Sequence, residues 1–168
     1  MHETTDIRAT FEGLVAPLAE ACEAVYGRRL MSFAIFGSVG RGSPRPDSDI
    51  DLLIVAEPLP RGRMARVREF DAVERRLSEA VRAASSAGVH TRLSPVLKTP
   101  AEVGLRTPLL LDLVHDARIL VDREDFLAGT IADLTRRLEA LGARRIWRGS
   151  AWYWDLKPDY RQGEVFEL

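Results

Sequence analysis

Two carboxylates, Asp49 and Asp51, stand at the head of a very apolar run that ends at Ala56. Side chains two apart on a strand share a face. Both acids therefore project together, while Ile50 and Leu52 take the other side. Convergent carboxylates repel each other unless a cation sits between them, and hard oxygen donors of this kind suit magnesium. Just upstream, Gly37-Ser38-Val39-Gly40-Arg41-Gly42 offers a turn rich in backbone N–H groups, which is what a phosphate requires. Carboxylates beside such a turn describe a magnesium-dependent nucleotide site.

The elements needed to hold that site follow from periodicity. Met31–Phe36 is a short buried strand that delivers the turn, and Ser48–Ala56 is a second strand, central in its sheet, that delivers the acids. Pro44 and Pro46 make the segment between them a loop. Ile7, Phe11, Leu14, Leu18, Cys22 and Val25 fall at steps of three and four, giving a helix over about residues 4–27. A second helix spans about residues 62–86, with Val67, Phe70, Val73, Leu77 and Val81 inward and its arginines mostly on a solvated face. Val89–Leu97 reads as a third strand, residues 108–114 as a short apolar helix, Arg118–Val121 as an edge strand and residues 124–141 as a last helix. From Ile146 to Leu168 there is no helical period. That aromatic segment is expected to be an extended strap, packed on the domain or on a second subunit.

Composition narrows the classes. In 168 residues, 46% are hydrophobic and 29% charged, a globular balance for one domain over residues 1–145 with the strap, 146–168, belonging to it. A net charge of −1 gives no basic field to favour nucleic acid. No secretory signal and no uncharged apolar run of about 18 residues is visible, so a cytoplasmic protein without a membrane span is expected. Cys22, the single cysteine, lies on the core-facing side of the first helix and is expected to act as a small buried hydrophobe.

Gly37-Ser38 followed by Asp49-x-Asp51 resembles the signature of the DNA polymerase β-like nucleotidyltransferase superfamily. Gly37-Ser38-x-x-Arg41-Gly42 with Ser48-Asp49-Ile50-Asp51-Leu52 looks more narrowly like the minimal nucleotidyltransferases of prokaryotes. The resemblance implies an α+β fold, a central mixed β-sheet flanked by helices. It implies that Gly37, Ser38, Arg41 and Gly42 hold the phosphates, and that Asp49 and Asp51 hold magnesium and are the catalytic acids. The activity implied is transfer of a nucleoside monophosphate from an NTP, ATP first, to a hydroxyl on a small molecule or protein, with release of pyrophosphate. The alternative it implies is a catalytically weak nucleotide-binding regulator, the antitoxin-like partner of a small helical HEPN-type protein. A homodimer is compatible with either.

One departure matters. Members of the superfamily usually carry a third acid on the next strand, serving a second metal and the incoming hydroxyl. Val89–Leu97 contains no Asp or Glu; Ser94 or Arg92 stands where the acid belongs. His90 as base, or Glu102, Asp112 or Asp116 brought in from elsewhere, are the candidate replacements. His115 and Asp116 otherwise suggest only capping and solvation.

Overall fold

The computed structural model describes residues 6–105, 107–149 and 151–167. The expected start of the first helix at residue 4, and positions 150 and 168 of the strap, lie outside them. Helix α1 (Ile7–Tyr26) is opened by Asp6, whose carboxylate accepts from the Ala9 N–H at 3.1 Å, and closed at Gly27. Strand β1 (Leu30–Phe36) runs into α2 (Gly37–Gly40), a single turn of helix, and a loop leads to β2 (Ile50–Ala56). Helix α3 (Arg63–Ser86) crosses over to β3 (Leu93–Lys98). Then come α4 (Pro100–Gly104), α5 (Leu109–Asp116), β4 (Arg118–Asp122) and α6 (Phe126–Ala140).

The sheet order is β3-β2-β1-β4, with β2 and β3 parallel and the other two pairings antiparallel. A parallel pair needs a long crossover, and α3 supplies it. Ile35, Ile50, Leu52 and Ile54 face α1 and α3, meeting Phe11, Leu18, Cys22, Phe70 and Leu77. Ala34, Phe36, Leu53 and Val55 face α4, α5 and α6, meeting Val103, Leu110, Leu113, Leu127, Leu134 and Leu138. The central strands are thus covered on both sides, which is why β2 reads as a continuous apolar run. The architecture is the expected α+β arrangement.

Several boundaries differ for identifiable reasons. Asp49 lies just before β2 rather than on it, because the ladder with β3 begins at Ile50. The third strand starts at Leu93, not Val89. The Val89 N–H is used to close α3 on Ala84, and the His90 N–H bonds Pro46 across the preceding loop. Helix α4 was not anticipated, although its signal is local. Thr99 accepts from the Glu102 N–H at 3.2 Å, Glu102 accepts from the Thr99 N–H at 2.8 Å, and Pro100 opens the first turn. Arg66 is not on a solvated face: it donates to both oxygens of Glu102, at 2.7 and 3.0 Å, and to the Pro60 and Leu97 carbonyls.

The strap is a hairpin in its first half. Strands β5 (Arg144–Arg148) and β6 (Ala151–Asp155) pair antiparallel, with Trp147 opposite Trp152 and Ile146 opposite Tyr153. Gly149, at φ +62°, helps the chain reverse between them. Trp154 and Leu156 pack against the core beneath α5 and α6. Among the described residues, no helix is long and apolar enough to cross a membrane.

Candidate active site

The end of β1 and the start of β2 meet where Phe36 pairs with Asp51. Gly37, the next residue, turns away at φ +67°, and a Cβ there would overlap Asp51 Oδ2. Only glycine lets the turn and the carboxylate touch. The α2 turn is then folded on itself: the Arg41 N–H reaches the Gly37 carbonyl at 3.0 Å, and the Ser43 N–H reaches that of Ser38 at 2.9 Å. Ser38, the residue after Gly37, is half-buried in this turn. Gly40 is pinned from the other side; a Cβ there would overlap the Asp116 carbonyl at the end of α5 and lie 2.9 Å from that of Ile35. Gly42, at φ +72°, bends the loop against the Arg8 guanidinium of α1. Gly37, Ser38, Arg41 and Gly42 are therefore one short loop at the mouth of β1 and β2.

Asp51 shares its face with Leu53 and Val55 and is half-buried, whereas Asp49 is exposed just before the strand. Burial pushes the Asp51 carboxyl above its ordinary pKa, hydrogen bonding to Ser94 pulls the other way, Asp49 raises it further and Arg41 lowers it. A carboxylate so placed gains from a nearby cation, and the donor set of two hard oxygens beside a phosphate-sized turn fits magnesium. Asp49 and Asp51 would be the residues to hold such an ion, which would supply positive charge beside a bound phosphate.

Among the described residues, no group of three or more His, Cys, Asp or Glu side chains could hold a metal together. Ser94 stands opposite Asp51 in the β2–β3 register, at the position where the third acid was sought. Of the replacements named from sequence, His90 and Glu102 are engaged elsewhere, whereas Asp112 feels the charges of Asp51 and Arg41. His90 precedes β3 and its Nδ1 is 3.0 Å from the Ser85 hydroxyl at the end of α3. Glu102 is held by Arg66, and its carboxyl falls to about pKa 2 through hydrogen bonds from Arg66 and the Thr99 backbone. Asp112 is half-buried on α5, its pKa raised by burial and then by the charge of Asp116, with Asp51 adding a smaller push.

Asp116 overturns the reading of a solvated cap. It is 2% exposed and binds two arginines. Arg145 of β5 forks onto it at 2.9 and 3.1 Å, and Arg41 of the loop shares one of its oxygens. His115 is likewise no mere cap: its ring stacks on Trp154 at 5.4 Å. A signal for Asp116 exists in the sequence, since Leu110, Leu113 and Asp116 recur at steps of three and fall on the buried side of α5. No local pattern announces Arg145.

A groove of about 730 Å³ opens from Asp49 between α3 and the edge strand β3. Arg63, Phe70, Arg92, Ser94 and Lys98 line it.

A carboxylate, Asp51, thus meets a glycine-serine turn at the mouth of β1 and β2, within a mixed sheet flanked by helices. Residues 18–121 match the model of the nucleotidyltransferase domain family, more than half of the chain, and the chain belongs to that family. A relative from Methanocaldococcus jannaschii, named as a putative protein adenylyltransferase, is 28% identical over 109 residues, 64% of this chain and 69% of the relative. Two crystal structures of toxin-antitoxin proteins also align. One, described as with AMP-PNP, is 18% identical at a TM-score of 0.39 and covers 79% of this chain and 92% of that one. The other, a mutant described as MntA-HpeT, is 18% identical at 0.41 and covers 74% and 89%.

Proposed function

We propose that this chain transfers AMP from ATP, with magnesium, to a hydroxyl on a protein, releasing pyrophosphate. The contact between Asp51 and the Gly37 turn supports the reading, because it sets a carboxylate against a backbone loop suited to a polyphosphate, with Asp49 two residues before it. Ser38 and the loop N–H groups would bind the β- and γ-phosphates, and Arg41 would face the triphosphate from the side of α5. In-line attack then depends on positioning and on stabilising charge already in place. The groove beginning at Asp49 has room for an acceptor side chain and its neighbours. The name of the 28% identical relative points to the same acceptor class.

Among the described residues no third acid completes a metal-binding group with Asp49 and Asp51, so a one-metal site is the arrangement these residues support. The acceptor hydroxyl must then lose its proton to solvent or to the acceptor protein itself, so a modest rate is expected.

The test is incubation of the full chain with Mg²⁺ and α-labelled ATP against a panel of proteins, including a small helical HEPN-type protein. Label retained on one protein, with one pyrophosphate released per label, is expected. Tight Mg²⁺–ATP binding without transfer to any member would replace the enzyme by a nucleotide-binding regulator.

A further inference from the structure

The strongest charge cluster outside the two acids links the C-terminal hairpin to the phosphate loop. Asp116, with a side chain 1% exposed, bridges Arg41 and Arg145. Arg145 is itself 11% exposed and is gripped by two rings, its guanidinium 4.0 Å from the Trp152 centroid and 4.9 Å from that of Trp147. The Trp154–His115 stack fastens the same hairpin to α5. None of β5 or β6 falls within residues 18–121, the part of the chain that matches the family.

We propose that Asp116 and Arg145 are positioning residues for Arg41, and that Arg145 determines the net charge the loop presents to the triphosphate. The inference rests on the nucleotide-site reading given above. A buried carboxylate paired with Arg41 alone would cancel its charge and place an acid beside the phosphates. With Arg145 forked onto the same carboxylate, the trio of one acid and two arginines carries one net positive charge. The shared oxygen also fixes where the Arg41 guanidinium can sit, since Asp116 is held as well by Arg145, whose guanidinium lies over the Trp147 and Trp152 rings. The hairpin thus acts on the site without touching the nucleotide.

The experiment is a double-mutant cycle on the full chain, using R41A, R145A and the pair. It reads the Kd of a non-hydrolysable ATP analogue with Mg²⁺, and of AMP, by calorimetry. Each single change is expected to weaken the analogue on the order of tenfold and to leave AMP nearly unaffected. The pair should lose less than the product of the two single losses, because part of the Arg145 effect acts through Arg41. R145K restores a positive charge beside Asp116 without the fork, and part of the lost affinity should return. Thermal unfolding checks that each variant is folded; if R145A is not, R145K and W152L, which loosens the clamp, take its place with the same cycle. Losses that multiply in the double mutant, equal weakening of AMP, or wild-type affinity in every folded hairpin variant overturn the positioning role. Wild-type protein that binds no Mg²⁺–nucleotide overturns the site reading itself, and the positioning role with it.

Discussion

Replacing Gly37 by alanine adds one carbon where Asp51 Oδ2 already sits, in a backbone region at φ +67° that alanine adopts at a cost. The carboxylate must swing away from the turn. Gly37→Ala is therefore expected to cut nucleotidyl transfer by roughly a hundredfold, the scale associated with misplacing a reacting group by about 1 Å, with a smaller fall in Tm. Unchanged turnover would show that the contact is incidental. The acids themselves make a cleaner prediction. In Asp49→Asn combined with Asp51→Asn, the fold should persist, because burial already opposes charge on Asp51. What should disappear is the rise in Tm that Mg²⁺–ATP is expected to give the wild type by binding only the folded state. A Tm still raised by Mg²⁺–ATP in that double variant would move the metal elsewhere. These positions were legible in the sequence because a turn and a carboxylate pair leave short-range signatures. The burial of Asp116 was readable from its spacing with Leu110 and Leu113, but its role was not, since that depends on two arginines distant in the chain.

At the scale of elements, two packing contacts set the site. Helix α5 ends against Gly40, where the obstacles to a Cβ are backbone oxygens of Asp116 and Ile35 rather than movable side chains. Gly40→Ala must shift α5 or the loop, and about 1–3 kcal/mol of destabilisation is expected, as for overpacked cores. A melting curve matching wild type would mean that the helix end yields freely. On the opposite edge, α4 is tied to α3 by Glu102 and Arg66. The Glu102 carboxyl is lowered to about pKa 2 from an ordinary 4.5, so its folded pKa is depressed. Its contribution is full above the unfolded value and is lost as pH falls from about 4.5 towards 2. Glu102→Gln should cost about 1 kcal/mol at pH 7, a figure kept small because Glu102 remains a third exposed and is screened. The gap between variant and wild type should close at the acid end of a pH series; a gap that is constant with pH would assign the loss to packing. The Thr99–Glu102 capping signature is readable in the sequence, whereas β3 begins later than its apolar pattern implies because backbone groups of residues 89 and 90 serve the helix end and a loop.

Across the whole molecule, one sheet separates two cores, and the site lies where both end. Strands β1 and β2 contribute alternate residues to each side, Ile35 and Leu52 to one and Phe36 and Leu53 to the other. That alternation made the order of elements and the central place of β2 readable without coordinates. The hairpin was not readable, because its clamp is built from rings and arginines whose pairing across β5 and β6 has no helical or simple polar period. A shared sheet also means that neither core can loosen alone. Phe70, 1% exposed on α3, lies on the face away from Asp51. Truncating it to alanine should cost about 3–5 kcal/mol, which for a chain of this size lowers Tm by roughly 10 °C. If the sheet couples the cores, loss of helical ellipticity, loss of the nucleotide-induced signal and the change in fluorescence of Trp147, Trp152 and Trp154 should coincide in one transition. A tryptophan transition that stays at the wild-type temperature would instead make the hairpin and α5 an independent unit, and the charge bridge through Asp116 would then join two bodies rather than brace one.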